Sequence, residues 1–223
     1  DFDLDLDATL AAVRQHQPAL IFLAQPNNPT GNLFSEAKIR AIIEAADGLV
    51  VVDEAYTAFT DADSLALLDE YDNLVIMRTL SKVGLAGLRL GLLIGQPAWL
   101  GELEKLRLPY NINVLTQASA VFALQHYDVL VAQTQQLRQE RALMLESLAQ
   151  QPALQAFPSE ANFVLVRTPA GQARTLHEGL KQAGILVKLL DGSHPALQDC
   201  LRLTVGSSEE NQRLLSALTT LLG

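Results

Sequence analysis

Leu49-Val50-Val51-Val52-Asp53-Glu54-Ala55-Tyr56 runs from four aliphatic residues straight into two carboxylates. An apolar run of that length with no polar alternation predicts a strand buried on both faces, ending at Asp53. A carboxylate at the end of a buried strand needs a partner or a cation. Tyr56 follows three residues later and is expected to point into the same space. The plainer alternative is an aspartate that caps the next segment.

The same reading extends in both directions. Ala19–Ala24 is a short apolar run that ends at a Pro/Asn/Gly turn, and so predicts another buried strand. Ser35 is placed to cap a helix running to about Asp47, with Ile39, Ile42 and Ile43 on one face. Leu74–Arg78 and Leu90–Ile94 predict two more strands. Strands that alternate with helices and are apolar on both faces indicate an α/β fold, a mostly parallel sheet flanked by helices. From Pro97 to Gln150 the pattern is helical, and Val129–Leu148 contains neither Gly nor Pro. Beyond it come strands at Phe163–Val166, Ile185–Lys188 and Leu201–Val205, a helix over Gln172–Ala183, and a final helix over Ser208–Leu222. Glu209 and Glu210 stand in the first turn of that last helix, where the dipole favours anions. The expected organisation is one domain over 1–127, a linking helix over 128–150, and a small α+β domain over 151–223.

Composition narrows the function classes. The 223 residues are 49% hydrophobic and 18% charged, which suits a chain with a real core. A net charge of -9 argues against nucleic acid as a partner, because phosphate backbones demand clustered Lys and Arg. No apolar run is long enough to span a membrane, and the aspartate-rich opening has no basic leader, so a cytoplasmic protein is expected. The chain does not begin with Met, and a fragment of something longer is expected. The lone Cys200 sits in an apolar stretch and is expected to be buried and inert. His16, His126, His177 and His194 show no metal-ligand spacing and fall in surface-like contexts, so no metal is expected.

Ligands in open α/β sheets bind beyond the carboxyl ends of the strands. Four such ends here carry polar residues. Pro26-Asn27-Asn28-Pro29-Thr30-Gly31 is a turn whose two prolines stiffen it, and a rigid turn can aim an amide at a ligand. Asp53 and Tyr56 close the second strand. Arg78-Thr79-Leu80-Ser81-Lys82 brings two hydroxyls and a lysine together after the third. Gly84-Leu85-Ala86-Gly87-Leu88-Arg89 is a glycine-spaced loop ending in Arg89, and matches neither a dinucleotide fingerprint nor a Walker loop. An amide, a carboxylate, a phenol, hydroxyls, a lysine and an arginine are the set that holds a phosphorylated pyridine aldehyde.

The order P-N-N-P-T-G, D-E-A-Y, T-L-S-K and G-L-A-G-L-R resembles the fold-type-I aminotransferases that depend on pyridoxal 5′-phosphate (PLP). Asn28 and Asp53 are 25 residues apart, and Asp53 and Lys82 are 29 apart, spacings typical of that family. Ala161-Asn162-Phe163 and Leu201-Arg202-Leu203-Thr204-Val205-Gly206 with Glu209-Glu210-Asn211 resemble histidinol-phosphate aminotransferases in particular. The resemblance implies roles residue by residue. Lys82 joins the cofactor covalently and, once freed, carries the proton. Asp53 pairs with the pyridine nitrogen, and Asn28 and Tyr56 meet the ring hydroxyl. Thr79, Ser81 and Arg89 bind the cofactor phosphate. Arg202 meets an anionic group of histidinol phosphate or of glutamate and 2-oxoglutarate, and Asn162 lines the same pocket or is simply a satisfied turn amide.

Lys82 and Arg89 are seven residues apart, one fewer than in many relatives, which bears on how Arg89 is aimed. The resemblance also implies an amino-terminal portion not present here, with a ring stacked on the cofactor and further phosphate contacts. Without it, an unpaired sheet edge is expected. A homodimer is implied as well, since these sites are built at a subunit interface. Competing readings are an aromatic aminotransferase, a threonine-phosphate decarboxylase, and a catalytically silent fragment.

Overall fold

The computed structural model describes residues 2–223, so Asp1 of the alternating aspartate run lies outside it. The chain forms two compact units. One holds the described residues up to Asn27 and Asn32–Thr134; the other holds Asn28–Gly31 and Gln135–Gly223.

In the first unit, helix α1 (Leu6–His16) opens under the cap of Asp5, whose side chain accepts from the Ala8 N–H. Strand β1 (Leu20–Ala24) follows, then α2 (Glu36–Ala45), capped by Ser35 as expected. Strands β2 (Leu49–Asp53), β3 (Leu74–Thr79) and β4 (Gly91–Gly95) complete a sheet in the order β1-β2-β3-β4. The first three are parallel and β4 is antiparallel to β3. Register aligns Ala24, Asp53 and Met77, so the carboxyl ends of the three parallel strands share one edge.

Period-two alternation sorts the two faces. Val50, Val52, Leu74 and Ile76 pack into one core with Ile39, Ile42 and Ile43 of α2. Leu49, Val51 and Val75 form a smaller cluster on the other face, with Met77 against it. Asp53 and Thr79 continue this second face.

The expectation that every strand is covered on both faces holds for β2 and β3 and fails at the margins. Edge strand β1 leaves Phe22 61% exposed, and edge strand β4 leaves Leu92 and Leu93 exposed. Helices α3 (Pro97–Glu104), α4 (Val114–Gln125) and α5 (Tyr127–Ala149) follow. The chain passes from the first unit to the second within α5.

The second unit is a four-stranded antiparallel sheet flanked by helices. Its strands are β5 (Gln155–Ala156), β6 (Phe163–Arg167), β7 (Lys188–Leu189) and β8 (Cys200–Thr204), in the order β5-β6-β8-β7. Val164, Val166, Leu201 and Leu203 meet Met144 and Leu148 of α5, Leu176 and Leu180 of α6 (Ala173–Gln182), and Leu214 and Leu218 of α7 (Ser208–Leu222). The expected strand at Ile185–Lys188 is a correction. Only Lys188 and Leu189 pair with β8, and Leu186 points into solvent. Cys200 is fully buried, and burial pushes its thiol up, as suits an inert residue.

Candidate active site

The first unit collects six of the expected site residues at the carboxyl edge of its sheet. Asp53 ends β2 half-buried; its Oδ1 accepts from the Ala55 N–H at 3.0 Å. The capping alternative is therefore realised for one carboxylate oxygen. No Lys or Arg among the described residues forms an ion pair with Asp53. Tyr56 is buried at the start of the single turn Thr57–Phe59.

Thr79 ends β3, on the same face as Asp53. Its hydroxyl accepts from the Ser81 N–H at 3.0 Å and donates to the Leu90 carbonyl at 3.3 Å. That pair of bonds ties the start of the Lys82 turn to the strand that returns. Ser81–Val83 is a tight helical turn closed by Gly84 at φ +94°, in the left-handed region where glycine bears no side-chain penalty. Leu80 and Val83 anchor it into a small apolar cluster with Ala120 of α4. Between those two anchors Ser81 and Lys82 are left half-exposed, with the Lys82 Nζ 5.1 Å from the centre of the Tyr56 ring. Arg89 sits in the left-handed region at φ +51° and is exposed. Its Nη1 turns back to the Ala86 carbonyl at 3.5 Å, so the guanidinium is not brought onto Thr79 or Ser81.

The remaining three site residues belong to the second unit. The short segment Asn28–Gly31 is held there by Glu160, whose N–H donates to the Gly31 carbonyl at 2.7 Å. Gly31 has φ +79°, and a Cβ on it would come within 2.5 Å of the Ser159 Oγ, so only glycine fits this approach. Arg202 on β8 points away from the core formed by Leu201 and Leu203. Its Nη1 donates to the Asn28 Oδ1 at 2.5 Å, and its guanidinium carbon lies 4.8 Å from the centre of the Phe163 ring. The Arg202 Nε is buried without a hydrogen-bond partner. Asn162 is half-buried just before Phe163, and its carbonyl accepts from the Val205 N–H at 2.9 Å.

Two charged residues near this edge have a different task from the one their sequence position suggests. Glu54 and Arg78 lie on the face opposite Asp53 and Thr79, where they pair with each other at 2.7 Å. Arg78 is thus not part of the polar cluster that ends in Lys82. Strand periodicity would have separated Glu54 from Asp53; the parallel register, unavailable in the sequence, supplies its partner.

This donor set fits a phosphorylated pyridine aldehyde. The Lys82 amine suits an aldehyde, and the Asp53 carboxylate suits a protonated ring nitrogen. The Ser81 hydroxyl suits a phosphate beside a glycine-containing turn, and the Thr79 hydroxyl does so once its hydrogen turns from the Leu90 carbonyl. In the second unit, taken by itself, the positive charge and unpartnered Nε of Arg202 suit an anionic group. A mostly parallel α/β sheet with such an edge places the chain among α/β proteins that bind a ligand beyond the carboxyl ends of their strands.

Comparison with known proteins narrows the class. The sequence pattern of the family aminotransferase class I and II matches residues 1–218. The chain belongs to that family. It is 57% identical over 218 residues to a histidinol-phosphate aminotransferase of Chromobacterium violaceum, covering 98% of this chain and 61% of that protein. It is 53% identical over 218 residues to histidinol-phosphate aminotransferase 2 of Nitrosococcus oceani, again with 98% and 61% covered. The chain therefore spans about three-fifths of the length of these curated relatives. Among solved structures, it superposes with a TM-score of 0.87 on the histidinol-phosphate aminotransferase of Sinorhizobium meliloti in complex with pyridoxal-5′-phosphate. That match has 29% sequence identity and covers 98% of this chain and 61% of the other.

Proposed function

We propose that the protein carrying this chain is a PLP-dependent aminotransferase that interconverts L-histidinol phosphate plus 2-oxoglutarate with imidazole acetol phosphate plus L-glutamate, a step of histidine biosynthesis. The observation that carries this reading is the convergence at one sheet edge of Asp53 and Thr79 on a common face, with Lys82 beside the Tyr56 ring. When bound, PLP supplies an electron sink for the pair left on the substrate Cα when its proton departs.

The residues of the chain do the rest. Lys82 would hold the cofactor through its amine and, once freed, would carry the proton to and from the substrate Cα. Asp53 keeps the ring nitrogen protonated, and its anchored Oδ1 leaves the second oxygen to make that contact. Tyr56 and Asn28 hydrogen-bond the ring hydroxyl. Thr79, Ser81 and Arg89 would bind the phosphate, which requires the Arg89 side chain to swing off the Ala86 carbonyl and the Thr79 hydroxyl to turn its hydrogen from the Leu90 carbonyl. Arg202 binds the carboxylate of glutamate in one half-reaction and the phosphate of histidinol phosphate in the other, with Asn162 alongside.

The same reading places 1–127 in a large cofactor-binding domain, 128–150 in a linking helix and 151–223 in a small domain. The separate sheets of the two units, with α5 running from one into the other, support that division. It also makes the protein a cytoplasmic homodimer. Support for an interface comes from the apolar surface of the first unit between Leu106 and Val131, where Leu108, Val114, Leu115 and Phe122 are exposed and Tyr110 is 96% exposed. Among the described residues no helix is long and apolar enough to cross a membrane.

The test is the visible spectrum of the intact protein with PLP, before and after adding histidinol phosphate, with glutamate formation from 2-oxoglutarate measured alongside. A band that bleaches on adding histidinol phosphate, and glutamate in matching amount, are the expected results. A band that ignores histidinol phosphate but responds to phenylalanine moves the protein to an aromatic substrate. Release of carbon dioxide from threonine phosphate makes it a decarboxylase. No band with added PLP refutes the site.

A further inference from the structure

Glu54 follows Asp53 directly, yet only 1% of its side chain is exposed. A carboxylate that deep is costly unless it is paired and hydrogen-bonded. Its Oε2 accepts from the Arg78 Nε at 2.8 Å and lies 2.7 Å from the Arg78 Nη2. Its Oε1 accepts from the Ser64 N–H at 2.6 Å. Asp63 lies 4.0 Å from the same guanidinium.

One carboxylate therefore joins three segments: the end of β2, the end of β3, and the loop that leaves Tyr56 and returns at Ser64. Each of these segments carries a residue of the candidate site within a few positions. Asp53 precedes Glu54, Thr79 follows Arg78 and leads to Lys82, and Tyr56 starts the loop. A backbone bond from the Glu54 N–H to the Met77 carbonyl, at 2.8 Å, extends the same junction. The pair itself stands on the face away from Asp53 and Thr79.

We propose that Glu54 and Arg78 are positioning residues, a charged clasp behind the site that fixes the spacing of Asp53, Tyr56 and Lys82. This inference rests on the reading of the opposite face as the PLP site. A displacement of about 1 Å in such a constellation costs on the order of 100-fold in rate.

The test uses the intact protein and the variant Glu54→Gln, which keeps the shape and an acceptor for Ser64 but removes the charge facing Arg78. Three quantities are read: PLP affinity from titration of the visible band, kcat and KM for the amino donor, and the unfolding midpoint of the cofactor-free protein. The clasp predicts an apparent Kd for PLP raised about tenfold, kcat lowered roughly 10- to 100-fold, and KM within about threefold of wild type. Should Glu54→Gln not fold, Arg78→Lys carries the same test, because it keeps the charge but not the forked geometry. A variant that unfolds earlier while keeping wild-type PLP affinity, band position and kcat overturns the inference and leaves the site reading intact. A wild-type protein that takes up no PLP overturns the site reading, and the inference with it.

Discussion

Arg78 and Arg202 each stand on a strand beside a candidate site residue, one in each unit of the molecule, and their surroundings differ in kind. Arg78 faces a buried carboxylate that neutralises it, and the pair closes a junction between strand ends. Arg202 meets a neutral amide oxygen and the face of a phenyl ring. Each arginine has one buried nitrogen without a hydrogen bond, but the Nη2 of Arg78 lies 2.7 Å from the Glu54 carboxylate, whereas the Nε of Arg202 has no such counter-charge among the described residues. A charge already matched within the fold is structural. A charge held in place by neutral groups, with no carboxylate against it, suits an anion that arrives from outside. On the proposed function, two residues of one type separate into scaffold and binding group by surroundings that their sequence neighbours do not reveal.

Substituting each arginine tests that division. The largest effect is expected for Arg202→Ala. It should lower kcat/KM on the order of 10²- to 10³-fold, for both the amino donor and the acceptor, while leaving the unfolding midpoint nearly unchanged. Steady-state kinetics and thermal unfolding on the same preparation check it.

Arg78→Met should differ by costing stability as well as the rate that the Glu54–Arg78 clasp supports. It strands Glu54, and denaturant unfolding should show a loss of about 3 kcal/mol. The double variant Glu54→Gln, Arg78→Met should recover most of that loss, since it leaves no uncompensated buried charge while the introduced glutamine keeps an acceptor for the Ser64 N–H. A stability loss at Arg202 as large as at Arg78 would erase the distinction.

A smaller effect is expected at Asn28→Ala. It removes the neutral acceptor that aims Arg202, and kcat/KM should fall by about tenfold, the worth of one hydrogen bond to a charged group. The smallest effect falls on a cap that serves neither arginine. Ser207 and Glu210 form a reciprocal capping box at the start of α7, and Ser207→Ala should cost about 1 kcal/mol with no kinetic change. The backbone N–H of Ser207 holds the Glu210 carboxyl below its ordinary value of 4.5. A lowered folded-state pKa means that this contribution is complete above the unfolded value. It fades as pH falls below about 4.5, so the stability difference between Glu210→Gln and wild type should narrow in acid.

Legibility in the sequence followed how local each determinant was. Strand β2 and helix α7 were readable to the residue, because an unbroken aliphatic run and acidic residues in a first turn are both local signals. Helix α1 was hidden by the Leu/Asp alternation that precedes it, which imitates a strand until Asp5 caps the helix. The apolar run Ile185–Val187 imitated a strand too, but pairing with β8 starts only at Lys188, and that depends on a partner far along the chain. Strand β4 read as buried, yet its place at the sheet edge is a matter of topology and leaves Leu92 and Leu93 exposed.

The site shows the same pattern. Asp53, Thr79, Ser81 and Lys82 were legible because strand ends and turn residues mark them locally. The bond from Arg202 to Asn28 joins residues 174 positions apart, and no local pattern encodes it. Glu54 was passed over because its partner is defined by the register that sets Asp53 against Met77, one residue before Arg78.

The central claim is that Lys82 is the residue to which the cofactor is joined. Reduction of the PLP-loaded intact protein with borohydride, followed by peptide mass mapping, tests it most directly. The account predicts a phosphopyridoxyl group on the peptide that contains Lys82, and none after substitution Lys82→Ala. The same group found on another lysine, or on no lysine, would contradict it.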